Sequence, residues 1–402
     1  MSQKVFIVGA KRSPIGSFLG ALKDIHPVEL GTQVLKNLLK ETQVPVEKID
    51  EVIVGNVLSA GLGQGIARQI AVKSGIPVDI PAYSLNMLCG SGMKSVINAF
   101  VSISSGISDL IVAGGVESMS QAPYLVPAKS RDGLKMSDFT VVDHMILDGL
   151  TDAFDKVHMG ITAENIASKH DISRNDQETF AYQSQEKAIQ AVDKGIFDQE
   201  ISPIEIKTKK ETILFSRDEY PNRTTSIEKM AKLRPAFKPD GSVTAATSSG
   251  INDGASFVIL ASEAMVKDYN LPVLAEVIGI GQAGVEPSVM GLGPVPAIRK
   301  ALKYANLSLN QMDVIELNEA FASQSLGVIK ELVEEHHVDK DALMAKTNIN
   351  GGAIALGHPI GASGNRIIVT LLYEMIRNHK VTGLASLCIG GGMGTAVIIK
   401  LV

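Results

Sequence analysis

Asn86-Met87-Leu88-Cys89-Gly90-Ser91-Gly92-Met93-Lys94-Ser95 joins two kinds of pattern. Before it, residues 82–86 read as a short strand. After it, residues 93–104 carry apolar side chains at helical spacing. A strand that turns through Gly-Ser-Gly directly into a helix is a unit of α/β folds. The same unit recurs outward along the chain. Residues 5–8, 51–55, 110–114, 255–260, 274–279, 314–317, 384–388 and 396–400 read as strands, and 28–41, 66–73, 295–304, 322–334 and 365–377 as helices. This alternation predicts an α/β protein with mostly parallel sheets.

Between about Gln121 and Thr247 the alternation breaks down. Charge rises, and a helical stretch at 177–192 is flanked by Pro-bearing loops, as in an insertion. The flanking α/β stretches echo each other. Ile49-Asp50-Glu51-Val52-Ile53 resembles Met312-Asp313-Val314-Ile315. Asn86 precedes Ser91-Gly92 and a helix, as Asn350 precedes Ser363-Gly364 and a helix. Gly114-Gly115 ends one strand, and Gly390-Gly391-Gly392 ends its counterpart. Kept in the same order, these echoes predict two duplicated halves with an insert in the first.

Composition removes several functions. The 402 residues suggest two or three domains at about 150 residues each. The net charge of −5, the absence of Trp and an aromatic content of 4% leave no case for nucleic-acid binding. No apolar run approaches a membrane span, and neither end carries a clear targeting signal, so no membrane partner and a cytoplasmic location are expected. Two cysteines exclude a disulfide framework and a cysteine-based structural zinc site. His336-His337, among Glu334, Glu335 and Asp339, reads as a solvated helix end, so no metal is expected.

Four short constellations carry possible chemistry. Cys89 stands where a helix begins, and the free N–H groups there favour thiolate; a small buried thiol at a packing point is the bland alternative. Gly351 to Gly364 sets His358 before Pro359 on a Gly-dense loop, which suggests a ligand or second chain passing close. No Lys follows in the phosphate-loop position. Asn318-Glu319-Ala320-Phe321 offers a polar group at a loop–helix junction, either a helix cap or a holder of water or an oxyanion. Cys388-Ile389-Gly390-Gly391-Gly392 ends a strand too near the C-terminus for a dinucleotide fingerprint. Its successive N–H groups suit an oxyanion instead.

Together these residues resemble the thiolase family, in its biosynthetic, short-chain form, from Val5 to the last strand. The subgroup is suggested by Gly149-Leu150-Thr151-Asp152-Ala153-Phe154, by His158 to Glu164 and by Ser249-Gly250-Ile251-Asn252-Asp253-Gly254. The resemblance implies two βαβαβαββ halves in a layered α/β/α/β/α core: residues 1–119 with 248–270, a loop domain at 120–247 that binds coenzyme A (CoA), and residues 271–402. It implies reversible Claisen condensation of two acetyl-CoA to acetoacetyl-CoA and CoA. Cys89 would be the nucleophile. His358 would take its proton, and Cys388 would act as the thiolate base. Asn318 would hold an oxyanion water, and the Cys89 and Gly390 N–H groups would form a second oxyanion hole. CoA enters as part of the substrate, with no separate cofactor.

The resemblance further places Leu150, His158, Met159, Ser249, Met290, Ala320 and Phe321 along the pantetheine arm. Arg223 would meet the nucleotide, within a basic run of Arg223, Lys229, Lys232, Arg234 and Lys238 against the single acid Glu228. The family Arg can sit one position earlier, and a solvated charge face is the alternative. Apolar residues Tyr124, Leu125, Val126 and Leu134 in the 119–138 segment match a tetramerisation loop, implying a dimer of dimers. A degradative thiolase of broader chain length, a non-catalytic acyl-CoA-binding relative and a cysteine hydrolase are the competing readings. A non-catalytic relative is expected to lack one of Cys89, His358 and Cys388, and a hydrolase has no reason for two thiols.

Overall fold

The computed structural model describes residues 3–136 and 138–402. Residues 1, 2 and 137 lie outside the described residues; the first two belong to the expected N-terminal half and the third to the 119–138 segment. One strand order is used twice. In the first half, β1 (Val5–Arg12), β2 (Glu51–Gly55), β3 (Ala82–Leu85), β4 (Leu110–Ser118) and β5 (Asn252–Ser262) lie in the order β3-β2-β4-β5-β1. In the second, β6 (Ala275–Gly284), β7 (Val314–Leu317), β8 (Thr382–Ile389) and β9 (Met393–Leu401) lie in the order β7-β8-β9-β6. The counterpart of β3 is reduced to one parallel bridge, Ile315 to Thr347. The halves join where β1 and β6 pair antiparallel through Phe6–Glu276 and Ile7–Ala275.

Mostly parallel sheets were the wrong expectation. Among the described residues, β2–β3, β2–β4 and β7–β8 are parallel, whereas β4–β5, β5–β1, β6–β9 and β8–β9 are antiparallel. The tight turn Gly390-Gly391-Gly392 makes β8 and β9 a hairpin, and a hairpin is necessarily antiparallel. Short apolar runs buried on both faces read alike in either direction.

The layering follows from alternation along each strand. Phe6 and Val8 of β1, with Val52 and Val54 of β2, face helices α1 (Pro27–Thr42) and α2 (Ile66–Lys73). Val5, Ile7 and Ile53 face the opposite way, toward α3 (Ser91–Ser104). The helices α4 (Met159–Lys169) and α5 (Arg174–Asp193) belong to the insert. Beyond the second half's strands, α6 (Pro294–Ala305) and α7 (Ala322–His336) cover the outer face. Finally α8 (Ile360–Arg377) shares the central core with α3. The succession is helix, sheet, helix, sheet, helix.

The two central helices touch at their starts. A Cβ on Gly92 would lie 2.8 Å from the Asn365 nitrogen, and one on Gly364 would lie 2.6 Å from the Met93 nitrogen. The contact is reciprocal, as duplicated halves require. The insert is tied to β1 by charge. Arg12, fully buried, bonds Glu200 at 2.6 Å and forks onto Asp218 at 2.7 and 2.9 Å. Such a pair is favourable only with complete hydrogen bonding, and Arg12 also donates to the Ser13 carbonyl at 3.1 Å.

Candidate active site

Cys89 occupies a wound turn between β3 and α3. Met87 N–H donates to Ser91 Oγ at 2.8 Å, and Ser91 Oγ donates to the Leu88 carbonyl at 2.7 Å. Asn86 Oδ1 accepts from Leu88 N–H at 2.9 Å. Leu88 is held at φ +47°, a strained conformation for a branched side chain. The turn presents the Cys89 sulfur to a cavity while placing it in desolvated surroundings. Burial pushes the thiol up to about 11, although the N–H groups of Gly390 and Cys89 itself pull the other way. The expected lowering of the thiol at a helix start is therefore corrected in direction, because desolvation of a charged sulfur outweighs two N–H dipoles.

His358 arrives from the opposite half. Its backbone N–H donates to Asn252 Oδ1 at 2.9 Å, and Asn252 is fixed in turn by donating to the Gly16 carbonyl at 3.0 Å. Its Nδ1 meets Ser363 Oγ at 2.6 Å, while Nε2 is buried without a partner in the protein. Burial, reinforced by the Arg366 charge, lowers the imidazole to about 3, so it is neutral at physiological pH. The glycines around it do not admit a second chain. Gly361 lies against Glu117 and Val116, Gly364 against Met93, and Gly351 against Ser184 and Ala188. Close approach at these glycines is made by this chain's own elements rather than by a second chain.

Cys388 lies near the end of β8 and is buried. Burial, and then the neighbouring Cys89, raises its thiol strongly. Gly391 and Gly392 turn the chain at φ +78° and +86°, bringing Gly390 to the same cavity. Asn318 is buried at the end of the adjacent strand, its backbone N–H donating to the Ser386 carbonyl of β8 at 3.0 Å; both side-chain amide atoms lack a protein partner, and it is not among the cavity-lining residues. It is not a helix cap, since Phe321 takes the N-cap position of α7. A buried amide with neither atom satisfied is a place for ordered water.

A cavity of about 450 Å³ collects Cys89, His358, Cys388, Gly390, Leu150, His158, Met159, Ser249, Met290, Ala320 and Phe321. His158 also caps α4, accepting from Gly160 N–H at 3.0 Å, and stacks on Phe237 at 4.7 Å. Arg223 is not brought there. It lines a neighbouring groove and is clamped by Asp193 at 2.6 and 3.0 Å. That groove shares Tyr220, Ala245 and Ser248 with the cavity.

Sequence reading missed Met119, Ile360, Phe237 and Tyr220 in the lining. It also missed Glu117. That carboxylate accepts from the N–H groups of Val57, Leu58 and Gly361 and from Asn56 Nδ2, at 2.9 to 3.1 Å. It thereby fixes the wall behind Cys89 to the start of α8. Ile360 lay within the quoted Gly-rich stretch, so its neighbour His358 was the available signal. Glu117 had no local signal, because its partners come from two other segments.

The family models described as Thiolase, N-terminal domain and Thiolase, C-terminal domain match residues 5–264 and 271–401. The chain is 52% identical over 398 residues to a Pseudomonas aeruginosa protein named acetyl-CoA acetyltransferase, with 99% of each chain covered. The solved acetyl-CoA acetyltransferase from Syntrophomonas wolfei superposes with a TM-score of 0.97 at 42% identity, covering both chains fully. The crystal structure of human mitochondrial 3-ketoacyl-CoA thiolase gives a TM-score of 0.93 at 44% identity, covering 99% of each chain. By sequence along its whole length and by the fold that results, this chain belongs to the thiolase family.

Proposed function

We propose that the chain is an acetyl-CoA C-acetyltransferase that condenses two acetyl-CoA to acetoacetyl-CoA and CoA, reversibly, through acetyl-Cys89. One observation carries the reading: two thiols, a neutral imidazole and the Gly390 backbone line a single apolar-walled cavity. The full-length likeness to acetyl-CoA acetyltransferases supports it. CoA enters as part of the substrate, so the reading needs no separate cofactor.

In this reading the proton path starts from neutral resting groups. Cys89 attacks the thioester carbon as its proton passes to His358 Nε2. The Cys89 and Gly390 N–H groups stabilise the tetrahedral oxyanion. The carbon–sulfur bond to CoA breaks, and the departing thiolate takes the proton of Cys388. The pocket then holds acetyl-Cys89, imidazolium and the Cys388 thiolate. That thiolate removes a methyl proton from the second acetyl-CoA. The enolate oxygen is held by Nε2–H and by a water on Asn318. The carbanion attacks acetyl-Cys89 and expels the Cys89 thiolate, which recovers its proton from His358. Every proton is returned. Leu150, His158, Met159, Ser249, Met290, Ala320 and Phe321 would flank the pantetheine arm. Arg223 would meet the nucleotide with the donors that Asp193 leaves free, or by leaving Asp193.

A broader-chain 3-ketoacyl-CoA thiolase is the second reading. It is favoured by the apolar residues Leu88, Met119, Leu150 and Ile360 around Cys89 and by the human relative. Cleavage rates for acetoacetyl-CoA against longer 3-ketoacyl-CoAs separate the two; faster cleavage of the longer substrates would favour the second. Cys89→Ala should abolish acetyl labelling by acetyl-CoA. Cys388→Ala should retain labelling of Cys89 yet lose condensation. The reverse pattern overturns the roles. The reading carries a homotetramer, a dimer of dimers, and a cytoplasmic location. Among the described residues no helix is long and apolar enough to cross a membrane.

A further inference from the structure

We infer that Ser363 is a positioning residue that holds His358 in the tautomer with its proton on Nδ1 and a bare lone pair on Nε2. The inference rests on the thiol–imidazole chemistry proposed above. Ser363 Oγ lies 2.9 Å from the Pro359 carbonyl and 2.6 Å from His358 Nδ1. A hydroxyl has one proton. The Pro359 carbonyl accepts only, and it also receives the backbone N–H groups of Ala362 and Ser363 at 2.9 Å; the Ser363 proton joins them there when Nδ1 carries a proton of its own. In that arrangement the Ser363 oxygen turns a lone pair to Nδ1, and Nδ1 answers with N–H. A third group that fixes an imidazole from its far side is what a nucleophile–base pair requires.

The other edge of the ring agrees. Nε2 is buried with no partner in the protein. The cavity it shares with Cys89 and Cys388 offers S–H groups, which are donors. Bare Nε2 can accept from them. The ring backbone is separately fixed by Asn252, so Ser363 governs ring orientation and tautomer and leaves the position of the residue unchanged. With Nδ1 permanently occupied, Nε2 is the one atom that gains and loses the Cys89 proton. An imidazole with its proton on Nε2 could not accept that proton at all.

Nitrogen-15 NMR of histidine-labelled protein tests this directly, with His358 assigned by loss of its signals in His358→Asn. The free wild type should show Nδ1 protonated and Nε2 bare. In Ser363→Ala the single tautomer should give way to a mixture. Ser363 is fully buried in α8 and does not line the cavity. Its loss should therefore lower kcat for acetoacetyl-CoA cleavage about tenfold or more, since correct protonation of a general base is worth ~10²–10⁴ in rate, with KM unchanged. Bare Nδ1 in the wild type overturns the inference, as does an unchanged tautomer in Ser363→Ala. Failure of wild-type Cys89 to take an acetyl group from acetyl-CoA would instead overturn the proposed function, and the tautomer result would stand apart from it.

Discussion

Cys89 is a thiol whose surroundings disfavour the thiolate. Burial drives its pKa up from 9.0 to about 11, so the charged form is scarce at rest. The neutral imidazole beside it, lowered to about 3, cannot supply the positive charge of a thiolate–imidazolium pair. This arrangement has a kinetic signature. The rate of Cys89 alkylation by iodoacetamide follows the thiolate fraction, which rises about tenfold per pH unit below the pKa. The rate should keep climbing from pH 7 to pH 10 without a plateau, measured by mass spectrometry of the Cys89 peptide. A flat profile above pH 7 would show a resting thiolate and overturn the proton path. The identities of Cys89, His358 and Cys388 were legible from Gly-flanked local motifs. Their protonation was not, because desolvation depends on walls supplied by distant segments such as Met119 and Ile360.

At the scale of elements, the starts of α3 and α8 decide whether the two halves deliver their side chains to one place. Gly92 and Gly364 let these helices meet backbone to backbone. The reading of sequence began the helices at residues 93 and 365, whereas they begin at Ser91 and Ile360. Glycine weakens a helix by ~0.5–1 kcal/mol relative to alanine, so Gly361 and Gly364 argued for a later start. Tertiary packing overrode that propensity. The strands Ile204–Lys207 and Thr212–Phe215 escaped for another reason: four residues each are too few to set a strand period apart from the flanking loops. Gly364→Ala should therefore act against helix propensity. Its Cβ would stand 2.6 Å from the Met93 nitrogen, which belongs to backbone and cannot swing away. The cost should be about 1–3 kcal/mol, typical of overpacking, read from denaturant unfolding. Acetoacetyl-CoA cleavage should fall too, because the shift is applied between Cys89 and His358. A variant as stable and active as the wild type would remove this contact from the account of the site.

The whole molecule repeats one half-fold and places its chemistry at the join, with an insert from the first half over the cavity. That duplication was legible from echoes of a few residues. The antiparallel pairings were not, since pairing direction is set by turns and crossovers and leaves no mark on a strand buried on both faces. What the chain leaves uncovered bears on assembly. Tyr124, Val126, Leu134, Met136, Phe139 and Val141 are exposed together, around the two-stranded pairing of Tyr124–Leu125 with Val142–Asp143. Leu125 is half-buried, so the expected apolar face is present but not complete. A two-stranded ribbon is marginal alone in water and needs a surface to pack on. The proposed tetramer supplies one, through the same segment of other subunits. Replacing Tyr124, Val126, Phe139 and Val141 with serine should then yield dimers by light scattering where the wild type is tetrameric. The segment runs directly into Met145–Leu150, whose Gly149 and Leu150 line the cavity. Loss of the contact should therefore raise KM for acetyl-CoA while leaving the acetylation of Cys89 chemically intact at saturation. A monomeric wild type, or a serine variant of unchanged mass, would end the tetramer reading.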